Sequence, residues 1–225
     1  MIREALRYIG MPRPLEKHIE SDTEQADMIL KIEEGFKYLE QIATPRVIYQ
    51  EIDIKLEEGR VLLGETDYSI LSKDLTDLFA RSHQVILMAA TLGISVDQKI
   101  HLKQKIDMLE AMILDACASV LIDKVCDEAE AEIIENLEEN QFLTMRFSPG
   151  YGDVPIETSH DIIELLQATK KIGLALTNSC MLVPTKSVTA LIGISNQKEK
   201  RQKSCGLCNL VHTCAYRKRG EQCGR

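Results

Sequence analysis

The sequence contains no tryptophan, and phenylalanine and tyrosine together make up only 4 % of its 225 residues. An aromatic core is therefore excluded, and Leu, Ile, Val, Met and Ala must carry the burial. No apolar run reaches the ~18 residues that a membrane-spanning helix needs. The opening Met1-Ile2-Arg3-Glu4 lacks the features of a secretory signal. No membrane association is expected, and the expected compartment is the cytoplasm. There the seven cysteines stay reduced and form no disulfide framework. A phosphate-binding P-loop, a Gly-x-Gly-x-x-Gly fingerprint and a nucleophile elbow are all missing, which removes the commonest nucleotide and acyl-transfer chemistries. His18, His83, His101 and His160 have no Cys or His at ligand spacing, so surface or capping roles are expected for them.

What is present is an ordinary soluble mixture, 44 % hydrophobic and 28 % charged, with a formal net charge of −8. The charge is unevenly spread. Residues 198–225 hold eight Lys/Arg against two Glu, while residues 1–197 hold 19 basic and 33 acidic side chains. An acidic body argues against nucleic acid as a partner, and the basic tail is compatible with contact to an acidic protein. Two parts are expected: an α+β domain over 1–197 and a basic, Cys-rich tail over 198–225.

Hydrophobic spacing predicts helices at 2–9, from Ser21 to about Ala43, at 72–80, at 106–137 and at 159–172. Residues 47–54 and 60–63 read as a hairpin turning at Glu58-Gly59. Further strands are expected at 85–90, 142–147 and 187–195. Helices and strands alternate without a regular βαβ rhythm, so a mixed or antiparallel twisted sheet flanked by helices is predicted. On the 106–137 helix, Leu109, Met112, Ile113, Ala116, Val120 and Val125 form an apolar stripe. Beside it Asp115, Ser119 and Asp123 repeat every fourth residue, read either as a solvated flank or as a functional row.

The richest stretch is Arg146-Phe147-Ser148-Pro149-Gly150-Tyr151-Gly152-Asp153. Pro149 fixes its own φ, and the two glycines permit left-handed backbone and close approach of another molecule. Arg146 can form a two-pronged bond to a carboxylate, and Tyr151 adds a flat face with a polar tip. Two readings stand at this level: a small-anion or zwitterion site, or a tight turn with a salt bridge. In the tail, Cys205, Cys208, Cys214 and Cys223 have the spacing C-x2-C-x5-C-x8-C. Four thiols so close in a reducing compartment point to a metal, as an iron–sulfur cluster or as zinc, with unmetallated redox thiols as the third reading; His212 permits a three-Cys, one-His zinc site. Cys117 and Cys126 fall among apolar helix residues and read as core side chains.

Residues 146–151 resemble the Arg-x-x-Pro-Gly-Tyr signature of the activation domain of cobalamin-dependent methionine synthase. A second block, Thr177-Asn178-Ser179-Cys180-Met181-Leu182-Val183-Pro184-Thr185-Lys186-Ser187-Val188-Thr189, is similar to the family's Thr-Glu-Ser…Met-x-Pro…Ser-Val-Ser block. Segments 3–10, 89–93 and 114–116 and the Cys-rich tail resemble the short stand-alone members of that family, and the likeness runs over roughly 1–217. It implies a protein that binds S-adenosylmethionine and supports reductive methylation of cob(II)alamin carried by a partner, either a methionine synthase core or another corrinoid protein. It leans toward the reactivation component of a methyltransferase, with an electron-donor protein as a further partner.

The resemblance implies that Arg146 binds the ligand carboxylate and that Ser148 and Gly150 contribute backbone groups. Tyr151 then packs on the ligand or faces the corrinoid. In the methionine synthase relative a Glu on the long helix holds the amino group, and Ser119 aligns near it, with Asp115 and Asp123 one turn away. The chain departs from the reference domain at Val154-Pro155-Ile156, where the family has a Cys-Pro-acid-His run, and at Ala190-Leu191-Ile192, where it has aromatics. Two other functions remain open: an iron–sulfur electron-transfer activator of another corrinoid methyltransferase, and a non-catalytic S-adenosylmethionine-binding interaction module.

Overall fold

The computed structural model describes residues 1–11, 23–197, 213 and 215–218. The Cys205, Cys208, Cys214 and Cys223 set, His18 and His212 lie outside the described residues. In chain order the elements are α1 (Ile2–Ile9), α2 (Thr23–Ile42), β1 (Arg46–Glu57), β2 (Arg60–Leu63), β3 (Ser69–Leu71), α3 (Lys73–Leu78), β4 (Ser82–Thr91), α4 (Ile94–Ile106), α5 (Met108–Asn136), β5 (Phe142–Leu143), α6 (Thr158–Leu166), α7 (Ala168–Ile172), β6 (Ala175–Leu176), β7 (Leu182–Val183), β8 (Ser187–Ser195) and α8 (Ala215–Lys218). Six strands form one sheet in the order β3-β2-β1-β4-β8-β5, and β6 and β7 form a separate two-stranded ribbon. The pairs β1–β2, β2–β3, β5–β8 and β6–β7 are antiparallel. The α+β class with helices beside a largely antiparallel sheet is thus as expected.

The chain divides into two compact units, the first made of 1–48, 90–131 and 168–188 and the second of 49–89, 132–167 and 189–225. The first is mainly helical. Its core is mainly aliphatic: Ala5 and Leu6 of α1, Ile32 and Leu39 of α2, and Ile113 and Val120 of α5 are buried, together with Phe36 and Cys117. The Cys117 thiol reaches the Ile32 carbonyl at 3.6 Å, and burial pushes its pKa up to about 12, as suits an inert core thiol.

The second unit holds most of the sheet. Residues Val85–Ala89 of β4, an interior strand of the sheet, are buried without a break, so both of its faces are covered there. Phe79, Val61, Leu63, Leu75 and Ile162 complete this core.

Three predicted elements are corrected. The helix expected over 106–137 begins at Met108, because Asp107 is extended (φ −145°, ψ 104°) and caps a separate helix, α4, that the periodicity missed. On its stripe, Leu109 and Met112 are 43 % and 47 % exposed, so the stripe itself is buried only from Ile113 onward. The helix expected over 159–172 is split at Gln167, whose φ of +54° ends α6. The strand expected over 142–147 survives as β5 and one isolated bridge, Phe147 with Leu191.

Candidate functional site

The 146–153 loop leaves the edge of the six-stranded sheet through a local slip in register. Phe142 pairs with Ser195 and Leu143 with Ile194, yet Phe147 pairs with Leu191, so β5 carries one more residue than β8. The extra residue makes a bulge, a feature that bends and re-aims a strand. Thr144 stitches the bulge: its amide donates to the Gly193 carbonyl and its hydroxyl accepts from the Gly193 amide, both at 2.8 Å. Beyond Phe147 the chain turns at Pro149-Gly150. The Tyr151 amide donates to the Ser148 carbonyl at 3.3 Å, and the Gly150 amide donates to the Val154 carbonyl at 3.0 Å. Arg146, Ser148, Gly150 and Tyr151 therefore come together on one short loop, with Tyr151 71 % exposed.

Asp153 locks the loop to the start of α3. Its carboxylate accepts from the Ser72 hydroxyl, from the Lys73 amide at 2.7 Å and from the Asp74 amide at 3.3 Å. In return the Asp153 amide donates to Asp74 Oδ2 at 3.2 Å. Burial raises the Asp153 pKa, but these hydrogen bonds outweigh it and hold the carboxyl below its ordinary value. Gly152, at φ +56°, is required between them, because a Cβ there would collide with the Asp74 carboxylate and crowd the Phe147 ring at 3.0 Å.

Ser119, the other predicted ligand residue, belongs to the first unit. Its hydroxyl donates to the Asp115 carbonyl at 3.0 Å and accepts from Lys186 Nζ at 2.9 Å. The same ammonium meets Asp115 Oδ1 at 2.8 Å, with the Lys186 side chain 13 % exposed and Asp115 51 % exposed. One turn on, Asp123 Oδ2 accepts a long bond, 3.4 Å, from the Tyr8 hydroxyl. Burial and then the Asp123 charge raise the Tyr8 pKa. The row on α5 is not a simple solvated flank, since each member has a side-chain partner.

Lys186 was not singled out by the sequence, although it stands inside the 177–189 block. Its placement rests on groups distant in the chain. Thr185 donates from its amide at 2.6 Å and its hydroxyl at 2.8 Å to the buried Asp97, and the Lys186 carbonyl accepts from the Leu92 amide at 2.9 Å. The 72–74 clamp on Asp153 was likewise missed; the only local hint was Ser72 at a helix start. His101 contacts Gln104, and His160 lies exposed near Asp161 and Glu164, in keeping with surface roles. Among the described residues no group of three or more His, Cys, Asp or Glu is arranged to hold a metal, and no helix is long and apolar enough to cross a membrane.

No curated protein matches the chain. Among solved structures it is similar to the MetH reactivation domain bound to AdoHcy, with a TM-score of 0.57 and 15 % identity over 98 % of this chain and 83 % of that one. At that identity the likeness speaks for the fold. A family model described as vitamin B12 dependent methionine synthase, activation domain, matches residues 75–220. That span is well over half of the sequence and includes both the 146–151 loop and the 177–189 block, so the chain belongs to the activation-domain family of vitamin B12-dependent methionine synthase.

Proposed function

We propose that this chain binds S-adenosylmethionine through its 146–151 loop and supports reductive methylation of a corrinoid carried by a partner, a methionine synthase core or another corrinoid protein. The observation that carries the reading is the loop itself, an Arg beside a Pro-Gly turn braced by Asp153 and Gly152. Such bracing suits a site that must be in place before its ligand arrives, because ordering is then not charged against binding. Arg146 takes the ligand carboxylate. Gly150 contributes its carbonyl rather than its amide, which is committed to Val154; a carbonyl suits a donor such as an adenine amino group. Ser148 adds a backbone group, and the exposed Tyr151 ring covers the ligand or faces the corrinoid.

The chain's contribution is positioning. The sulfonium of S-adenosylmethionine is already an activated methyl donor, so no general acid or base is required of the protein. The corrinoid supplies the cobalt nucleophile, and a separate reductant supplies one electron to bring cob(II) to cob(I). Transfer of the methyl cation equivalent then leaves S-adenosylhomocysteine and methylcobalamin. Calorimetry with S-adenosylmethionine tests the binding step, and a protein that gives no binding heat would remove the reading.

A second reading is kept by the four-thiol spacing of the tail. We infer that Cys205, Cys208, Cys214 and Cys223 hold one metal centre. An iron–sulfur cluster there could relay the electron, whereas zinc could not, having no accessible redox change. Metal analysis after anaerobic purification separates them, and a colourless protein with one zinc would end the relay role.

A further inference from the structure

The elbow between α4 and α5, inside the first unit, exposes apolar side chains that the unit's own core does not use. Each helix already meets that core: Val96 and Ile100 of α4 and Ala111, Ile113 and Leu114 of α5 are buried. Yet Leu102 and Ile106, one turn apart on α4, stay exposed, as do Met108, Leu109 and Met112 at the start of α5; Ile106 is 72 % and Met108 60 % exposed. Spacings of three and four residues set such side chains together on one face of each helix. A single exposed apolar residue needs no explanation, but five within the stretch 102–112 form a patch, and patches mark contacts.

Beside this knob lies a hole. A cavity of about 420 Å³ opens between α2, α4 and α5, with Leu109, Ile113 and Leu114 among its apolar lining. Asp107 lines it too, so Ile106 and Met108 flank the cavity in sequence. Charge is split across the same elbow. Helix α4 carries Lys99, Lys103 and Lys105, and its one acid, Asp97, is buried. From Asp107 onward come Glu110 and Asp115, with no Lys or Arg before Lys124. Lys103 pairs with Glu110 inside the chain at 2.5 Å, while Lys105 and Asp107 both lie exposed. A partner of one charge sign would suit only half of this surface. A second copy turned through a twofold axis suits all of it, because knob meets hole and basic half meets acidic half, each twice. We propose that two copies of this chain associate through the α4–α5 elbow. Ile106 and Met108 of each enter the other's cavity, and the basic α4 of each runs along the acidic start of the other's α5. This association does not depend on the S-adenosylmethionine reading.

The test is sedimentation equilibrium of the full chain over a series from about 1 to 100 μM. Wild type should move to twice the chain mass within that range. Ile106→Glu and Met108→Glu should each raise the dissociation constant roughly a hundredfold, because a twofold contact loses the side chain twice. Lys105→Glu, which sets acid against acid, should raise it about tenfold. Leu71→Glu, a control at an exposed position on β3, should leave it unchanged. Circular dichroism checks the fold of every variant, and if one elbow substitution unfolds the chain the others decide. The proposal is overturned by a wild type that stays monomeric across the series, including one that gains mass only when a different protein is added. It is equally overturned by a dimer that survives the elbow substitutions, since the contact would then lie elsewhere.

Discussion

The loop of residues 146–153 and the polar row of α5 both hold polar groups in fixed places, but with different materials. The loop uses the backbone: a bulge, a Pro-Gly turn, amide bonds to carbonyls and a carboxylate on three α3 groups. The row uses side chains, with Lys186 and Tyr8 brought to α5 from more than 60 residues away in sequence. Backbone devices require glycine and proline at fixed positions and tolerate little change. Side-chain devices can be loosened one contact at a time, since a half-exposed carboxylate such as Asp115 can be hydrated when its partner is lost. Substitutions in the loop should therefore cost more than substitutions in the row.

Gly152→Ala breaks the comparison hardest. The new methyl must enter the Asp74 carboxylate at a left-handed φ, so about 1–3 kcal/mol of stability should be lost, with ligand binding impaired as the loop shifts. Urea unfolding alongside calorimetry checks both effects. Arg146→Ala should weaken S-adenosylmethionine by roughly ten- to a hundredfold, the value of one charged hydrogen bond. Equal affinities would take Arg146 out of the site.

Asp153→Asn sharpens the comparison through pH. The folded carboxyl lies below its ordinary value, so its charge contributes stability above the unfolded pKa of ~3.9, and that contribution is lost as pH falls through the lower folded value. The variant should be less stable than wild type at neutral pH, by up to about 1 kcal/mol for a surface cap. The gap should close in acid, below pH ~4. A gap independent of pH would assign the loss to packing. The smallest effect is expected for Lys186→Met. Asp115 stays half in water, so unfolding free energy should change by less than about 1 kcal/mol in a chemical denaturation series.

The same contrast explains what could be read from the sequence. Pro149, Gly150 and Gly152 declare a controlled turn because each residue type has a backbone consequence that needs no partner. The Glu58-Gly59 hairpin was legible for that reason, with Glu57 pairing with Arg60 as expected. Lys186 and the Ser72–Asp153 clamp were not legible, because a lysine or a serine acquires meaning only from what tertiary structure sets beside it. Helix α4 escaped because its apolar residues make no clean stripe: Ile94, Leu102 and Ile106 remain exposed. Asp115, Ser119 and Asp123 were recognised as a row, but the contact of Lys186 with the first two depends on tertiary structure.

The most direct test of the account is reactivation in trans. A cobalamin-loaded methionine synthase core lacking its own activation domain is held in the cob(II) form with reductant and S-adenosylmethionine, and the return of methylcobalamin is followed by its visible absorbance. The account predicts a faster return when this chain is added, with the gain lost in Arg146→Ala. A return no faster than with reductant and S-adenosylmethionine alone would contradict it.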